Sequence, residues 1–154
     1  LYEFLNYNLS SENPLFQNCK TILNQNPSPI FTESDSLALL KMNTIFSKDD
    51  IQYIFRQSEF SKHFRIEKKY LKNKKVIELD TAIVFGSNKI ARETYWDEFN
   101  NTYYHNCIIN LPLFSMDKQT AIVKIGYQSE YGIYIYRKKD EKWQVLKIMS
   151  LVVD

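Results

Sequence analysis

The chain is poor in glycine, proline, histidine and cysteine: 154 residues contain 3 Gly, 4 Pro, 2 His and 2 Cys. Scarce glycine argues against Gly-rich phosphate loops, because only glycine lets the backbone approach a phosphate that closely. Two cysteines, Cys19 and Cys107, stand far apart, outside any CxxC pair and away from a histidine at ligand spacing. That pattern argues against a zinc site and leaves two readings open, one disulfide or two ordinary buried thiols. There is no apolar run near the ~20 residues of a membrane span. Charge is nearly balanced at +2, so the chain has no overall polyanion-binding signature. G-x-S-x-G, H-E-x-x-H and G-x-x-x-x-G-K-[ST] are all missing, which removes local support for hydrolase, zincin and P-loop chemistry. No cofactor is expected, and no catalytic residue is assigned.

Apolar residues make up 44% of the chain, a globular composition, and Tyr (11) and Phe (10) are abundant. The length suits one α+β domain over residues 1–154. The first ten residues, LYEFLNYNLS, space Leu1, Leu5 and Leu9 as a short helical stripe. Three of the four prolines then mark a loop, with a short element around Phe16–Leu23. Ser34–Met42 reads equally as helix or strand. In FSKDDIQYIFRQ, Ser47 predicts an N-cap and Asp50 completes a capping box, so a helix should run over Lys48–Ser58. Val76–Phe85 is β-branched and predicts a strand. IARETYWDEFNNTYY predicts a second helix, with Trp96, Phe99 and Tyr103 on one apolar face toward the C-terminal sheet. Four strands follow, over Cys107–Phe114, Thr120–Gln128, Tyr131–Lys138 and Trp143–Val153, with Pro112 implying an edge or a bulge in the first.

N-terminal helices followed by β-α-β-β-β-β resemble cystatin-like folds and approach the NTF2-like cone, a curled antiparallel sheet packed on a helix. Two stretches carry a further resemblance. Phe46–Gln57 fits F-S-x-x-D-x-x-Y-x-x-x-Q. LPLFSMDKQTAIV, with GIYIYRKKDEKWQV after it, fits P-[IL]-F-x-x-D-x-x-x-A-I and K-K-x-x-x-W. These patterns are similar to those of a family of small exported proteins and lipoproteins of Bacteroidetes-type bacteria. The resemblance covers Phe46 to the C-terminus and implies export and a sheet-rich fold, but no catalytic residues. The family's Cys-Gly-rich segment before the third strand is replaced here by GYQSEYG, so its role is not carried over. A chain that opens on LYEFLNYNL, without Met, fits removal of an upstream piece.

Three function classes follow. The favoured one is a non-enzymatic binding module for a protein or peptide partner, of immunity or inhibitor type, using an aromatic sheet face. In YGIYIYRKKDEKWQVLKI, alternation sets Ile133 and Ile135 opposite Leu146 and Ile148 on a dry face. The other face then gathers Tyr134, Tyr136, Trp143 and Met149 around Lys147, and Tyr134, Tyr136, Trp143 and Lys147 are the candidate binding residues. Cross-strand aromatic pairs stabilise sheets without binding anything, so the same stripe also reads as plain core. The second class is a small-molecule pocket with His105 and Asp97 as an acid–base pair; a surface histidine at a helix end is the plainer reading of His105. The third is polyanion binding by the basic run Lys62–Lys75, with Phe64 and Tyr70 interleaved; near-neutral net charge argues for a solvated loop and against nucleic acid.

Overall fold

The computed structural model describes residues 1–10, 19–26, 29–61, 63–102, 106–127 and 130–153. In chain order the elements are α1 (Tyr2–Asn8), β1 (Thr21–Leu23), α2 (Glu33–Leu40), α3 (Lys48–Ser61), β2 (Lys75–Ile77), α4 (Thr81–Val84), α5 (Lys89–Thr102), β3 (Asn106–Ile109), β4 (Leu113–Phe114), β5 (Thr120–Tyr127), β6 (Glu130–Lys139) and β7 (Lys142–Val153). The architecture is α+β. One open sheet runs β2-β1-β3-β5-β6-β7, and β4 pairs with β5.

The sheet is mixed, not wholly antiparallel. β1 pairs parallel with both β2 and β3, while the remaining ladders are antiparallel. Parallel neighbours need crossover connections, and α2–α3 and α4–α5 supply them. Val76–Phe85 is not one strand. β2 ends at Ile77, and Asp80 accepts from the N–H groups of Ala82 (3.1 Å) and Ile83 (3.2 Å), starting α4. The expected strand Cys107–Phe114 is two short strands on the same edge of β5, separated by the segment that contains Pro112, which has no N–H for the ladder.

Both faces of the sheet are covered as far as β6, whereas the edge strand β7 leaves Val145, Leu146, Ile148 and Leu151 exposed. Opposed residues share a face, so the registers sort the core into two layers. On one face, Ile22, Cys107, Ala121, Val123, Tyr136 and Trp143 pack under Phe4 and Leu5 of α1, its C-cap Leu9, and Ile66 and Leu71. The other face holds Ile122, Ile133 and Ile135 beneath Leu39 of α2 and Ile51 and Ile54 of α3. Towards β2, that second face carries Leu23, Ile77 and Ile108 against Phe99 and Trp96 of α5. Phe99 is buried and Trp96 half-buried, and their cover is the parallel end of the sheet, where Ile108 of β3 belongs to the expected C-terminal strands and Leu23 and Ile77 do not. Tyr103, expected on the same stripe, lies outside the described residues. Cys19 and Cys107 form a disulfide, with Cα atoms 5.5 Å apart inside the first core.

β7 departs from simple alternation. Asp140 (φ 49°) and Glu141 (φ 60°) make a two-residue turn of the primed kind that hairpins favour, which fixes Lys139 opposite Lys142 and Tyr136 opposite Val145. An unbroken ladder from that turn would set Ile135 against Leu146 and Ile133 against Ile148, the register expected from alternation. Instead two bulges intervene. Ile135 faces Lys147, Tyr134 faces Ile148 and Ile133 faces Ser150, leaving Leu146 and Met149 as the extra residues. The isoleucines therefore have no Leu146–Ile148 partner pair. Lys147 lies on the face opposite Tyr134, Tyr136 and Trp143, and Met149 packs with the α2–α3 core.

Candidate functional site

The aromatic stripe of β6 does not form an open surface. Tyr136 is fully buried, Trp143 is 6% exposed and Tyr134 is half-buried, because α1 lies across them. Phe4 meets Tyr136, Trp143 and Phe114 edge-on, with centroids 5.2, 4.9 and 5.8 Å away. Aromatic pairs favour this geometry, where a positive ring edge meets a negative face. Of the four candidate residues, the structure brings together Tyr134, Tyr136 and Trp143, and it separates Lys147 from them as an exposed side chain across the sheet.

Trp143 is where this core reaches a cleft. A cavity of about 440 Å³ opens between α1, α3, the β4–β5 turn and the β6–β7 hairpin, with Tyr53, Gln57, Phe114, Asp117, Lys138 and Trp143 among its lining. The indole N–H of Trp143 is shielded from bulk solvent and has no acceptor among the described residues. A buried donor without a partner carries the full desolvation cost of that group, which an acceptor brought in from outside would offset.

The stretches picked out by sequence pattern build this cleft. Ser47 caps α3: its hydroxyl accepts from the Asp50 N–H (3.1 Å), and the Asp50 carboxylate accepts from the Ser47 N–H (3.1 Å) and hydroxyl (2.7 Å). The second Asp50 oxygen accepts from the Met116 N–H at 2.9 Å, tying the helix start to the β4–β5 turn. These bonds, that from the Ser47 hydroxyl first, hold the Asp50 carboxyl below its ordinary range. One helical face further on, Gln57 donates to the Phe114 carbonyl (2.7 Å) and accepts from its N–H (3.1 Å), which satisfies the open edge of β4. Within the turn, Asp117 accepts from the Ser115 hydroxyl (2.6 Å) and the Gln119 N–H (2.9 Å), and the former chiefly keeps its carboxyl low. Lys138 forms the charged rim, 2.7 Å from Glu141 and 3.2 Å from Glu3; the Glu141 contact chiefly raises its pKa. The F-S-x-x-D-x-x-Y-x-x-x-Q residues thus have an architectural task, clamping α3 to the turn of the second pattern. Tyr53, 40% exposed, is left at the mouth.

A second cavity of about 380 Å³ lies on the other sheet face, between the first turn of α2 and strands β5–β7. Its polar groups include Asp35, Lys124 and Ser150, none of which the sequence reading singled out as functional. The signal was present: Lys124 sits in TAIVKIGY on a strand whose two faces are both covered, and a lysine is seldom placed there without a task.

The remaining sequence candidates are dispersed. Asp97 is exposed, and its expected partner His105 lies outside the described residues, as does Lys62. In the basic run, Ile66 and Leu71 anchor the loop in the core, while Arg65, Lys68, Lys69, Lys72 and Lys75 are exposed. Lys74 donates to the Cys19 carbonyl at 2.6 Å, and burial lowers its pKa. Among the described residues no group of His, Cys, Asp and Glu has metal-site geometry, and no described helix is long and apolar enough to cross a membrane. In comparisons with known proteins, no family model, no curated protein and no solved structure matches the chain.

Proposed function

We propose that the protein is a non-enzymatic binding module that seats an extended segment of a protein or peptide partner in the cleft at Trp143. The observation that carries this reading is the buried, acceptor-less indole N–H of Trp143 beside a cavity of about 440 Å³. That nitrogen is closed even to water here, so a partner carbonyl would accept from the N–H once the indole tips toward the cleft. An apolar partner side chain would lie against Tyr53, and the charged rim of Lys138 and Asp117 would set orientation more than affinity. Tyr136 and Phe4 form the floor on which the indole rests.

The same proposal includes export. The Cys19–Cys107 bond supports an oxidising compartment, as does the likeness of the sequence patterns to exported Bacteroidetes-type proteins. A cystatin- or NTF2-like fold is supported by the antiparallel β3-β5-β6-β7 order, whereas the parallel β2-β1-β3 pairs fall outside that pattern.

The test uses the chain's own fluorescence, since Trp96 and Trp143 are its two tryptophans. In a Trp96→Phe background, peptides selected from a random display library are titrated against the protein and against its Tyr53→Ala variant. Peptides that shift the emission of Trp143 and lose affinity for Tyr53→Ala support the cleft. Peptides that bind both forms equally and leave the emission unchanged overturn it, and so does a library that yields no binder.

A further inference from the structure

The second cavity confronts one cation and one anion across a single small space. Lys124 rises from the middle of β5 and is half-buried; its ammonium donates to the Pro29 carbonyl at 3.1 Å. Among the described residues no carboxylate lies within ion-pair distance of it. An ammonium has three donors, so two remain for another acceptor. Asp35 is 9% exposed. Its Oδ2 accepts from the Thr32 N–H (2.9 Å) and hydroxyl (2.7 Å), while Oδ1 has no hydrogen bond among the described residues. Burial lowers the pKa of Lys124, and the charge of Asp35 offsets part of that effect, so the two sense each other without touching.

The remaining walls are apolar or weakly polar. Ile133 is buried at the floor. The Tyr131 ring lies over Gly126, where a Cβ would stand 2.7 Å from it, so glycine allows the ring to settle against the sheet. Ser150 contributes a hydroxyl. The volume falls within the ~300–1,000 Å³ usual for small-ligand sites.

We propose that this cavity binds a free α-amino acid with an apolar side chain: its carboxylate pairs with Lys124, its ammonium with Oδ1 of Asp35, and its side chain lies against Tyr131. A dipolar ligand supplies both missing counter-charges at once and adds no net charge to the site. A simple anion would satisfy Lys124 and leave Asp35 facing like charge; a simple cation would do the reverse. The cavity lies across the sheet from the Trp143 cleft, so the proposal stands or falls independently of the peptide-binding reading.

The experiment is isothermal titration of the full, disulfide-bonded chain with L-phenylalanine, its methyl ester, 3-phenylpropionate and phenethylamine. L-phenylalanine should bind at least about tenfold more tightly than the other three, and Lys124→Met should remove that preference. The ligand series needs no altered protein, so it decides the matter even if a variant folds poorly. Equal affinity for the amino acid and its ester overturns the proposal. Undiminished binding by a folded Lys124→Met protein does so too, as does no binding of L-phenylalanine up to about 10 mM.

Discussion

Removing the disulfide should be the most damaging change of two atoms available in this fold. Cys19 and Cys107 close a loop with a sequence separation of 88 residues. The chain-entropy relation assigns such a crosslink about 4.6 kcal/mol at 25 °C, through the freedom it denies the unfolded chain. Replacing both residues with alanine also deletes two adjacent sulfur atoms from sites 1% or less exposed, and that void adds a folded-state cost to the loss of the crosslink. The larger share still falls on the unfolded state. For a chain of this length it should lower Tm by roughly 9–18 °C. Urea unfolding of the oxidised protein, the reductant-treated protein and Cys19→Ala/Cys107→Ala gives three curves. The last two should both lie well below the first, with the double-alanine form the lower of them because of its void. A difference between oxidised and double-alanine forms below about 1 kcal/mol would refute the loop-closure reasoning.

Three further outcomes follow from the packing and from the α3 cap. Tyr136→Ala and Trp143→Ala should each cost about 3–5 kcal/mol in chemical denaturation, and half-buried Tyr134→Ala distinctly less; a wild-type midpoint for Tyr136→Ala would mean that α1 does not cover the stripe. Ser47→Ala should cost about 1 kcal/mol through loss of the α3 cap. Because the folded pKa of Asp50 lies below its ordinary 3.8, the stability it contributes is complete above that value and is lost as pH falls through the folded pKa. Asp50→Asn should accordingly flatten the acid limb below about pH 4, and an unchanged limb in urea midpoints measured against pH counts against the capping box.

What could be read in the sequence was local. The α3 cap needs only Ser47 and Asp50, three residues apart, and the structure places the helix start where they put it. β5 and β6 announce themselves by alternation and keep nearly the expected bounds. β1 showed only as a short element of unassigned type around Phe16–Leu23, because three residues, Thr21–Leu23, are too few to show a period; their burial on both sides comes from neighbours at residues 75–77 and 106–107. α4 was hidden by β-branched neighbours that outweighed the capping signal of Asp80. The register of β7 was right near the hairpin and then lost to two bulges, which leave no signature in residue type. Of the proposed binding residues, Trp143 reaches the cleft, but the burial of Tyr136 required knowing where α1 would lie. LYEFLNYNLS held that hint: an amphipathic helix needs an apolar face to cover, and β6 offers an aromatic one.

The parallel pairing of β1 also sets a timetable for the growing chain. The meander β5–β6–β7 joins neighbours in sequence and can close as soon as it is made. β1 emerges early, yet one of its partners, β3, and the thiol that pairs with Cys19 arrive only with residues 106–109. Through that interval Ile22 and Leu23, both buried in the finished sheet, have only β2 to pair with, and Cys19 stays an unmatched thiol. Assembly of the N-terminal half thus awaits the C-terminal half, and the disulfide records its completion.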